Sequence, residues 1–263
     1  DAIKKAANGQ LDVNSVTEKE RKRNPPAPYT TSTLQQDAVR KLGFGASRTM
    51  RIAHQLYEGI DIANEHVGLI TYMRTDSVSI ANEMLPIMRD FIKKQYGEDY
   101  LPNSPRMFKT KTKNAQEAHE AIRPTEFSRK PDALRKMLSP EQFKLYQMIW
   151  QRAMASQMAS ATMDTMSVDL IAQSTATFRA TGSSIKHPGY LKVYQEGTDD
   201  KDGKTVLDEK NLLPALKENT SIDIKEIKSD QHFTEPPPRF NEATLVKNLE
   251  EKGIGRPSTY ASI

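Results

Sequence analysis

Residues 139–173, SPEQFKLYQMIWQRAMASQMASATMDTMSVDLIAQ, contain the change of pattern that decides the fold. The first part has the spacing of an amphipathic helix, with Ser139 as its N-cap and Pro140 at its first position. From Thr162 onward apolar and polar residues alternate, and this alternation predicts β-strands. The chain therefore combines helical and β-rich parts, which predicts an α+β fold.

The alternation continues beyond this stretch. It predicts further strands in TATFRATG at 175–182, YLKVYQ at 190–195 and SIDIKEIKS at 221–229. Helical spacing, by contrast, predicts four more helices, at about 34–43, at 47–59, from Ser77 or Ser79 to Gly97, and at 241–253. The first two of these are short and adjacent, as in a helix-turn-helix unit.

The composition allows a packed core and a nucleic-acid partner. Apolar residues make up 37% of the chain and charged residues 27%, and the formal charge is +4. The sequence has no cysteine, which excludes disulfides and thiolate zinc sites from these residues. No apolar run approaches the roughly eighteen residues of a membrane span, so we expect a soluble, cytoplasmic protein.

Both ends of the chain predict a piece of a longer protein. The chain starts at Asp1, and DAIKKAANG is typical of the end of a helix that closes at Gly9. The last residues, PSTYASI at 257–263, begin a helix that stops after one turn. We therefore expect further segments on both sides.

Residues 68–77, GLITYMRTDS, contain two candidate site residues, Tyr72 and Arg74. In an extended segment Tyr72 and Arg74 point to the same side and can reach one ligand together. When a tyrosine attacks a phosphodiester, negative charge develops on the phosphate oxygens and must be neutralised. A guanidinium is permanently charged and can donate two hydrogen bonds to a phosphate. An edge strand with a solvated arginine gives the same pattern, so the spacing alone leaves both interpretations open.

Three motifs in order resemble the type IA DNA topoisomerases, most closely the bacterial topoisomerase I group. They are GLITYMRTDS, QEAHEAIRPT at 116–125 and LEEKGIGRPSTYASI at 249–263. NPPAPYTTSTLQQDA at 24–38 is similar to the same family. The resemblance extends from about Asn24 to the last residue and is weakest in the β-rich part.

The resemblance implies a role for each matching residue. Tyr72 would break one DNA strand and hold its 5′ phosphate, Arg74 would stabilise the scissile phosphate, and Asp76 would help to organise the site. It also implies DNA contacts from Glu117, His119 and Arg123 in the second motif and from Arg256, Ser258 and Thr259 in the third. Taken alone, His119 also fits a packed or solvated histidine, and the third motif also fits a simple cap between helices.

The resemblance further implies the architecture of the toroidal type IA fold, with several domains. Residues 1–31 and 159–235 would form a discontinuous β-rich arch, 32–158 a mostly helical domain that carries the tyrosine, and 236–263 the start of a helical DNA-binding domain. Neither a Toprim domain nor a zinc ribbon is recognisable. The Mg²⁺ that the family uses would therefore bind outside these residues, in the Toprim domain of the same polypeptide.

The expected partner is single-stranded or negatively supercoiled DNA, bound by a monomer. We expect the isolated chain to be inactive, because most of the family's catalytic groups are not in it. The alternative is a non-catalytic nucleic-acid-binding module with helix-turn-helix elements, which the basic linkers and short helix pairs would also fit. A phosphotyrosine trapped on DNA distinguishes the two.

Overall fold

The computed structural model of the chain describes residues 10–62, 65–109, 120–172, 176–197, 213–228 and 230–263. These residues divide into two compact units. The β-rich unit comprises the described residues of Asp1–Arg23, Ala161–Pro188 and Thr205–Pro238, and the helical unit those of Asn24–Ser160, Gly189–Lys204 and Arg239–Ile263.

The described residues form six β-strands and six α-helices, numbered here in chain order. The strands are β1 (Gln10–Arg23), β2 (Ile60–Ile62), β3 (Glu65–Val67), β4 (Ala161–Ala172), β5 (Ala176–His187) and β6 (Ser221–Asp223). The helices are α1 (Thr31–Leu42), α2 (Ala46–Glu58), α3 (Met84–Tyr96), α4 (Pro131–Leu134), α5 (Pro140–Ser156) and α6 (Glu242–Glu251). The α+β class predicted from the sequence is confirmed.

The β-rich unit is built on an antiparallel sheet with the strand order β5-β4-β1-β6. Strand β1 pairs with β4 from Asp12 opposite Ile171 to Arg23 opposite Ala161. The chain thus leaves the sheet at Arg23 and returns to it at Ala161, and the long helical segment is inserted between two neighbouring strands. Alternation of polarity does not predict β1 itself, because its second half, Glu18–Arg23, is charged throughout and mostly exposed.

Two strand predictions from alternation differ from the structure: one segment is not a strand, and another contains a shorter strand than predicted. Residues 190–195 lie not in a strand but in and just after a 3-10 turn at Gly189–Lys192. Tyr190 and Tyr194 are both buried there, and the Tyr194 amide donates to the Tyr190 carbonyl, as in a helical turn. In the segment predicted at 221–229, of which the structure describes 221–228, the strand covers only Ser221–Asp223.

The helix predictions are mostly confirmed, with changes at the ends. Helix α5 begins as predicted, with Ser139 as N-cap and Gln142 completing a capping box. Helix α3 is shorter than predicted and starts only at Met84. The Ser77 amide donates to the Thr75 hydroxyl and the Ser79 amide to the Ser77 hydroxyl, and such side-chain bonds compete with helix formation.

The core of the helical unit contains the tryptophan and several methionines. Trp150 in α5 is buried, donates from Nε1 to the Phe127 carbonyl at 3.2 Å and makes an edge contact with Phe91. Met88 in α3 and Met154 in α5 are fully buried. The ring contact between Phe91 and Trp150 joins α3 to α5.

A buried polar cluster fixes α1 within the same unit. The Asp37 carboxylate accepts hydrogen bonds from the phenols of Tyr29 at 2.6 Å and Tyr194 at 2.5 Å, and it lies 3.2 Å from Lys41 Nζ. The guanidinium of Arg152 donates to Tyr194. Burial alone would raise the pKa of Asp37, but Lys41, the two phenols and Arg152 outweigh burial and lower the pKa.

Helix α6 packs against α1, so the contacts group Arg239–Ile263 with the helical unit. The buried residues of α6 are Ala243 and Val246. The division of the chain into the domains of a longer protein stays a prediction. In the part of the chain that the structure describes, no helix has both the length and the apolar character that crossing a bilayer requires.

Candidate active site

Residues 68–77 do not form a β-strand. Their only ladder contact among the described residues is an isolated bridge between Ile70 and Pro124. The segment is an irregular loop, because threonine and serine side chains, rather than a neighbouring strand, bind much of its backbone. We call residues 71–77 the tyrosine loop.

One clamp holds the tyrosine loop at Thr71. Its amide donates to the Arg123 carbonyl at 2.9 Å, and its hydroxyl donates to the Ala121 carbonyl at 2.7 Å and accepts from the Arg123 amide at 2.9 Å. Residues that follow the second motif's histidine thus fix the backbone just before Tyr72.

The other clamp lies at Met73 and Thr75. The Thr31 hydroxyl donates to the Met73 carbonyl at 2.7 Å and accepts from the Thr75 amide at 2.9 Å. The Thr31 amide donates to the Thr75 carbonyl at 2.9 Å. The first residue of α1 therefore holds the main chain on both sides of Arg74.

The clamped residues point inward and the residues between them point outward. Met73 and Thr75 are each 1% exposed, whereas Tyr72 is 40% exposed and Arg74 is also exposed. Tyr72 and Arg74 therefore lie on one accessible side of the tyrosine loop, although the loop is not a strand. The Tyr72 ring makes an edge contact with the Tyr57 ring, with centroids 5.3 Å apart.

Arg74 has the chemistry of a phosphate ligand. Its guanidinium makes no hydrogen bond or ion pair with any residue that the structure describes. A guanidinium keeps its charge at all physiological pH values and can donate two parallel hydrogen bonds to a phosphate. The position beside an accessible phenol suits a phosphate that contacts both groups.

The third motif lies close to Asp76 of the tyrosine loop. Glu250 in α6 accepts a hydrogen bond from Ser32 at 2.8 Å, and its pKa is raised by burial and by the charges of Glu251 and Asp76. Burial and the charges of Glu250 and Asp76 likewise raise the pKa of Tyr260. The first and third motifs thus meet at one place in the helical unit.

Within the third motif, the turn at 256–259 is closed by its own side chains. The Arg256 amide donates to the Thr259 hydroxyl at 2.9 Å, and the Thr259 amide donates to the Arg256 carbonyl at 2.9 Å. The side chains of Arg256 and Ser258 are exposed. Ser47 at the start of α2 donates to the Ala261 carbonyl and holds the turn in place.

The second motif is described only in part. Glu117 and His119 lie outside the described residues. Arg123 is 8% exposed, its guanidinium forms an ion pair of 2.6 Å with Glu120, and it also donates to the Pro124 carbonyl. The expected phosphate contact of Arg123 does not fit this geometry, because a buried, paired guanidinium has few donors left for DNA.

Comparison with known proteins shows the family. The family model for DNA topoisomerase matches residues 1–263. The chain belongs to this family. It is 50% identical over its full length to DNA topoisomerase 1 of Rickettsia felis, and 52% identical over 99% of its length to DNA topoisomerase 1 of Xylella fastidiosa.

A solved structure of topoisomerase I supports the same assignment. Full-length topoisomerase I of Thermotoga maritima superimposes on 99% of this chain with a TM-score of 0.82 and 35% identity, and 41% of that chain is covered. The resemblance to the type IA topoisomerases is confirmed, as is the fold class. The chain spans about a third of the length of the curated relatives it matches, 34% in the Rickettsia felis protein.

The described part of this topoisomerase chain does not fit a metal ion. No group of three histidine or acidic side chains lies close enough together there to hold one. The charge of Asp76 helps to raise the pKa of Glu250, but two carboxylates without further ligands are a poor magnesium site.

Sequence reasoning missed two residues of the site, Thr31 and Tyr57. Thr31 looked like one more residue near the start of a helix, and no local pattern shows that its hydroxyl reaches a loop 42 residues away. Tyr57 lies on the helical face of α2 with apolar neighbours and looked like a core residue, yet it is 41% exposed. Tyr57 lies fifteen residues before Tyr72, and this spacing does not predict that the two rings are in contact.

Proposed function

We propose that this chain is the tyrosine-bearing part of a type IA DNA topoisomerase, which breaks and rejoins one DNA strand through a 5′-phosphotyrosine and relaxes negative supercoils. The observation that carries the proposal is the tyrosine loop. In a chain of this family, Tyr72 and Arg74 share one accessible side of a loop whose intervening residues are buried and clamped. A site held in this way is suited to position two groups around one phosphate.

The proposed reaction is a reversible transesterification. The Tyr72 oxygen attacks the scissile phosphorus, the bond from phosphorus to the 3′ oxygen breaks, and the phenol proton is lost while the leaving 3′ oxygen gains one. Arg74 stabilises the negative charge on the phosphate oxygens in the transition state. Attack by the same 3′ hydroxyl on the phosphotyrosine reverses each bond change and reseals the strand.

The remaining site residues have supporting roles in this proposal. Asp76 organises the region where the tyrosine loop meets the third motif. Glu117 and His119 belong to the DNA path, and Arg256, Ser258 and Thr259 contact backbone phosphates from the closed turn. Arg123 keeps the backbone of Thr71 in place through its own main chain and is not part of the DNA path.

The chemistry is completed by parts of the polypeptide other than these residues. We propose that a Toprim domain of the same polypeptide supplies acidic groups and binds Mg²⁺, and that the complete protein acts as a monomer at the bacterial nucleoid in the cytoplasm. The family assignment and the bacterial relatives support this proposal.

The chain alone is expected to bind single-stranded DNA weakly, with little sequence preference and strong dependence on salt. The groups that reach the phosphates are cations and a helix-capping turn, so the binding free energy is mainly electrostatic. Arg74→Ala is expected to weaken binding several-fold and to lower the slope of log K against log salt by about 0.7, the value for one lost phosphate contact. His119→Ala should weaken binding as well. Titration of a labelled oligonucleotide at several salt concentrations measures both effects.

Arg135→Ala is the matched control for this titration. It also removes one exposed arginine, but Arg135 pairs with Asp132 on α4 and lies over the ring of Phe143 in α5. If the control weakened binding as much as Arg74→Ala, net charge alone would explain the affinity and Arg74 would lose its assigned contact.

The chain alone is expected not to relax supercoiled DNA, with or without Mg²⁺. The acid–base groups for this chemistry are expected in the Toprim domain, outside these residues, and such groups typically contribute about 10²–10⁴-fold each. An agarose-gel relaxation assay tests this, first with residues 1–263 alone and then with the N-terminal part of the polypeptide added in trans. Relaxation by residues 1–263 alone would show that the chemistry is assigned to the wrong groups.

A further inference from the structure

Thr31 connects a helix to the tyrosine loop through three hydrogen bonds. Its hydroxyl donates to the Met73 carbonyl at 2.7 Å, the Thr75 amide donates to that hydroxyl at 2.9 Å, and its own amide donates to the Thr75 carbonyl at 2.9 Å. The Thr75 carbonyl also lies 3.1 Å from the hydroxyl and shares its proton. One side chain thus fixes the backbone on both sides of Arg74.

The clamp at Thr31 lies away from solvent. Thr31 is fully buried, and Met73 and Thr75 are each 1% exposed. Water therefore has no access to replace the hydroxyl if it is removed, and the Met73 carbonyl and the Thr75 amide would lose a partner inside the protein. The loop would then have to move to satisfy these groups.

Helix α1 is a rigid support for this clamp. Thr31 is its first residue, and the amides of a helix's first turn have no partners within the helix, so the bond to Thr75 uses a donor that α1 leaves open. Two turns further on, Asp37 ties the same helix to Tyr29 and Tyr194 in the core. Helix α1 therefore links the tyrosine loop to the core and fixes the position of the loop.

We propose that Thr31 is a positioning residue for strand cleavage. Its hydroxyl holds the main chain of Met73 and Thr75 so that the Tyr72 phenol and the Arg74 guanidinium meet the same phosphate. Thr31 touches neither DNA nor the reacting atoms. The inference rests on the proposed function of Tyr72 and assigns to Thr31 a role in the rate of cleavage rather than in DNA affinity.

The test compares Thr31→Val, Thr31→Ala and Thr31→Ser in the complete topoisomerase polypeptide. Oligonucleotide affinity and the rate of covalent adduct formation at saturating DNA are measured separately, per folded molecule, with folding followed by circular dichroism. Valine and alanine are expected to lower the cleavage rate by about 10²-fold, the size of effect that a misplacement of about 1 Å has on an oriented reaction. Affinity should change less than about threefold, and serine, which keeps the hydroxyl, should restore most of the rate.

Thr49→Val and Tyr72→Phe complete the design. Thr49 in α2 is also fully buried and donates its hydroxyl to the carbonyl of Gly45, which precedes the helix, so Thr49→Val controls for the loss of a buried hydroxyl elsewhere in the unit and should cleave normally. Normal cleavage by both Thr31→Val and Thr31→Ala, or equal losses of affinity and rate, would overturn the positioning role. An adduct formed by Tyr72→Phe would instead overturn the proposed function itself.

Discussion

Tyr72→Phe in the complete topoisomerase is expected to abolish both strand cleavage and relaxation of supercoiled DNA. The substitution removes the attacking oxygen and keeps the ring and its edge contact with Tyr57. DNA affinity should stay within a few-fold of the parent, because Arg74 and the third motif are unchanged. Relaxation is measured on agarose gels and cleavage as protein-linked oligonucleotide after denaturation.

The chain offers a closely matched control in Tyr57→Phe. Tyr57 and Tyr72 are in ring contact and almost equally exposed, at 41% and 40%. Tyr57→Phe also removes one exposed phenol oxygen at the same place and is expected to cleave DNA. If Tyr57→Phe were inactive and Tyr72→Phe active, the nucleophile would be Tyr57.

Asp37→Ala is expected to lower the free energy of unfolding of the helical unit by about 3–5 kcal/mol, the usual effect of removing one partner from a buried charge cluster. The substitution leaves the phenols of Tyr29 and Tyr194 and the ammonium of Lys41 without their common acceptor. Urea unfolding followed by the fluorescence of Trp150, the single tryptophan of the chain, reports on this unit.

The pH dependence of this stabilisation follows from the direction in which the fold shifts the pKa of Asp37. The pKa of Asp37 is lowered from its ordinary value of 3.8, so the carboxylate stabilises the fold above that pH and the contribution is lost as pH falls through the lowered pKa. The difference between parent and Asp37→Ala should therefore be full at pH 7 and shrink in acid.

Asp132→Ala is the control for Asp37→Ala. Asp132 forms a comparable ion pair with Arg135, but its side chain is 83% exposed. Exposed pairs contribute about 0–1 kcal/mol, so this variant should unfold close to the parent. Equal losses in the two variants would mean that the buried cluster does not stabilise α1.

The sequence predicted the helices well because their signals are local. The cap at Ser139 and the periodic apolar residues of α5 depend only on neighbours in the chain. The first strand, Gln10–Arg23, was not recognised, because both faces of its second half carry charges and the alternation of polarity disappears. In 190–195 the alternation is present but is overridden by the burial of Tyr190 and Tyr194 in the helical unit.

The candidate site was predictable to a similar extent. The shared side of Tyr72 and Arg74 follows from a two-residue spacing, which the clamped loop preserves even without strand pairing. The burial of Arg123 was not predictable, because its partner Glu120 lies three residues away in a segment without a regular pattern. Thr31 was missed because its contacts connect residues more than forty positions apart, and a single sequence does not indicate which distant residues are in contact.

Mapping the covalent adduct tests the central claim most directly. The complete enzyme is incubated with a single-stranded oligonucleotide labelled at one end, denatured, and digested with trypsin, which cuts after Arg51 and Arg74 and releases residues 52–74 with both Tyr57 and Tyr72. The account predicts that fragmentation of this peptide places the nucleotide on Tyr72, and that only the 3′-labelled half of the DNA stays with the protein. A nucleotide on Tyr57 or on any other residue, or retention of the 5′-labelled half, would contradict it.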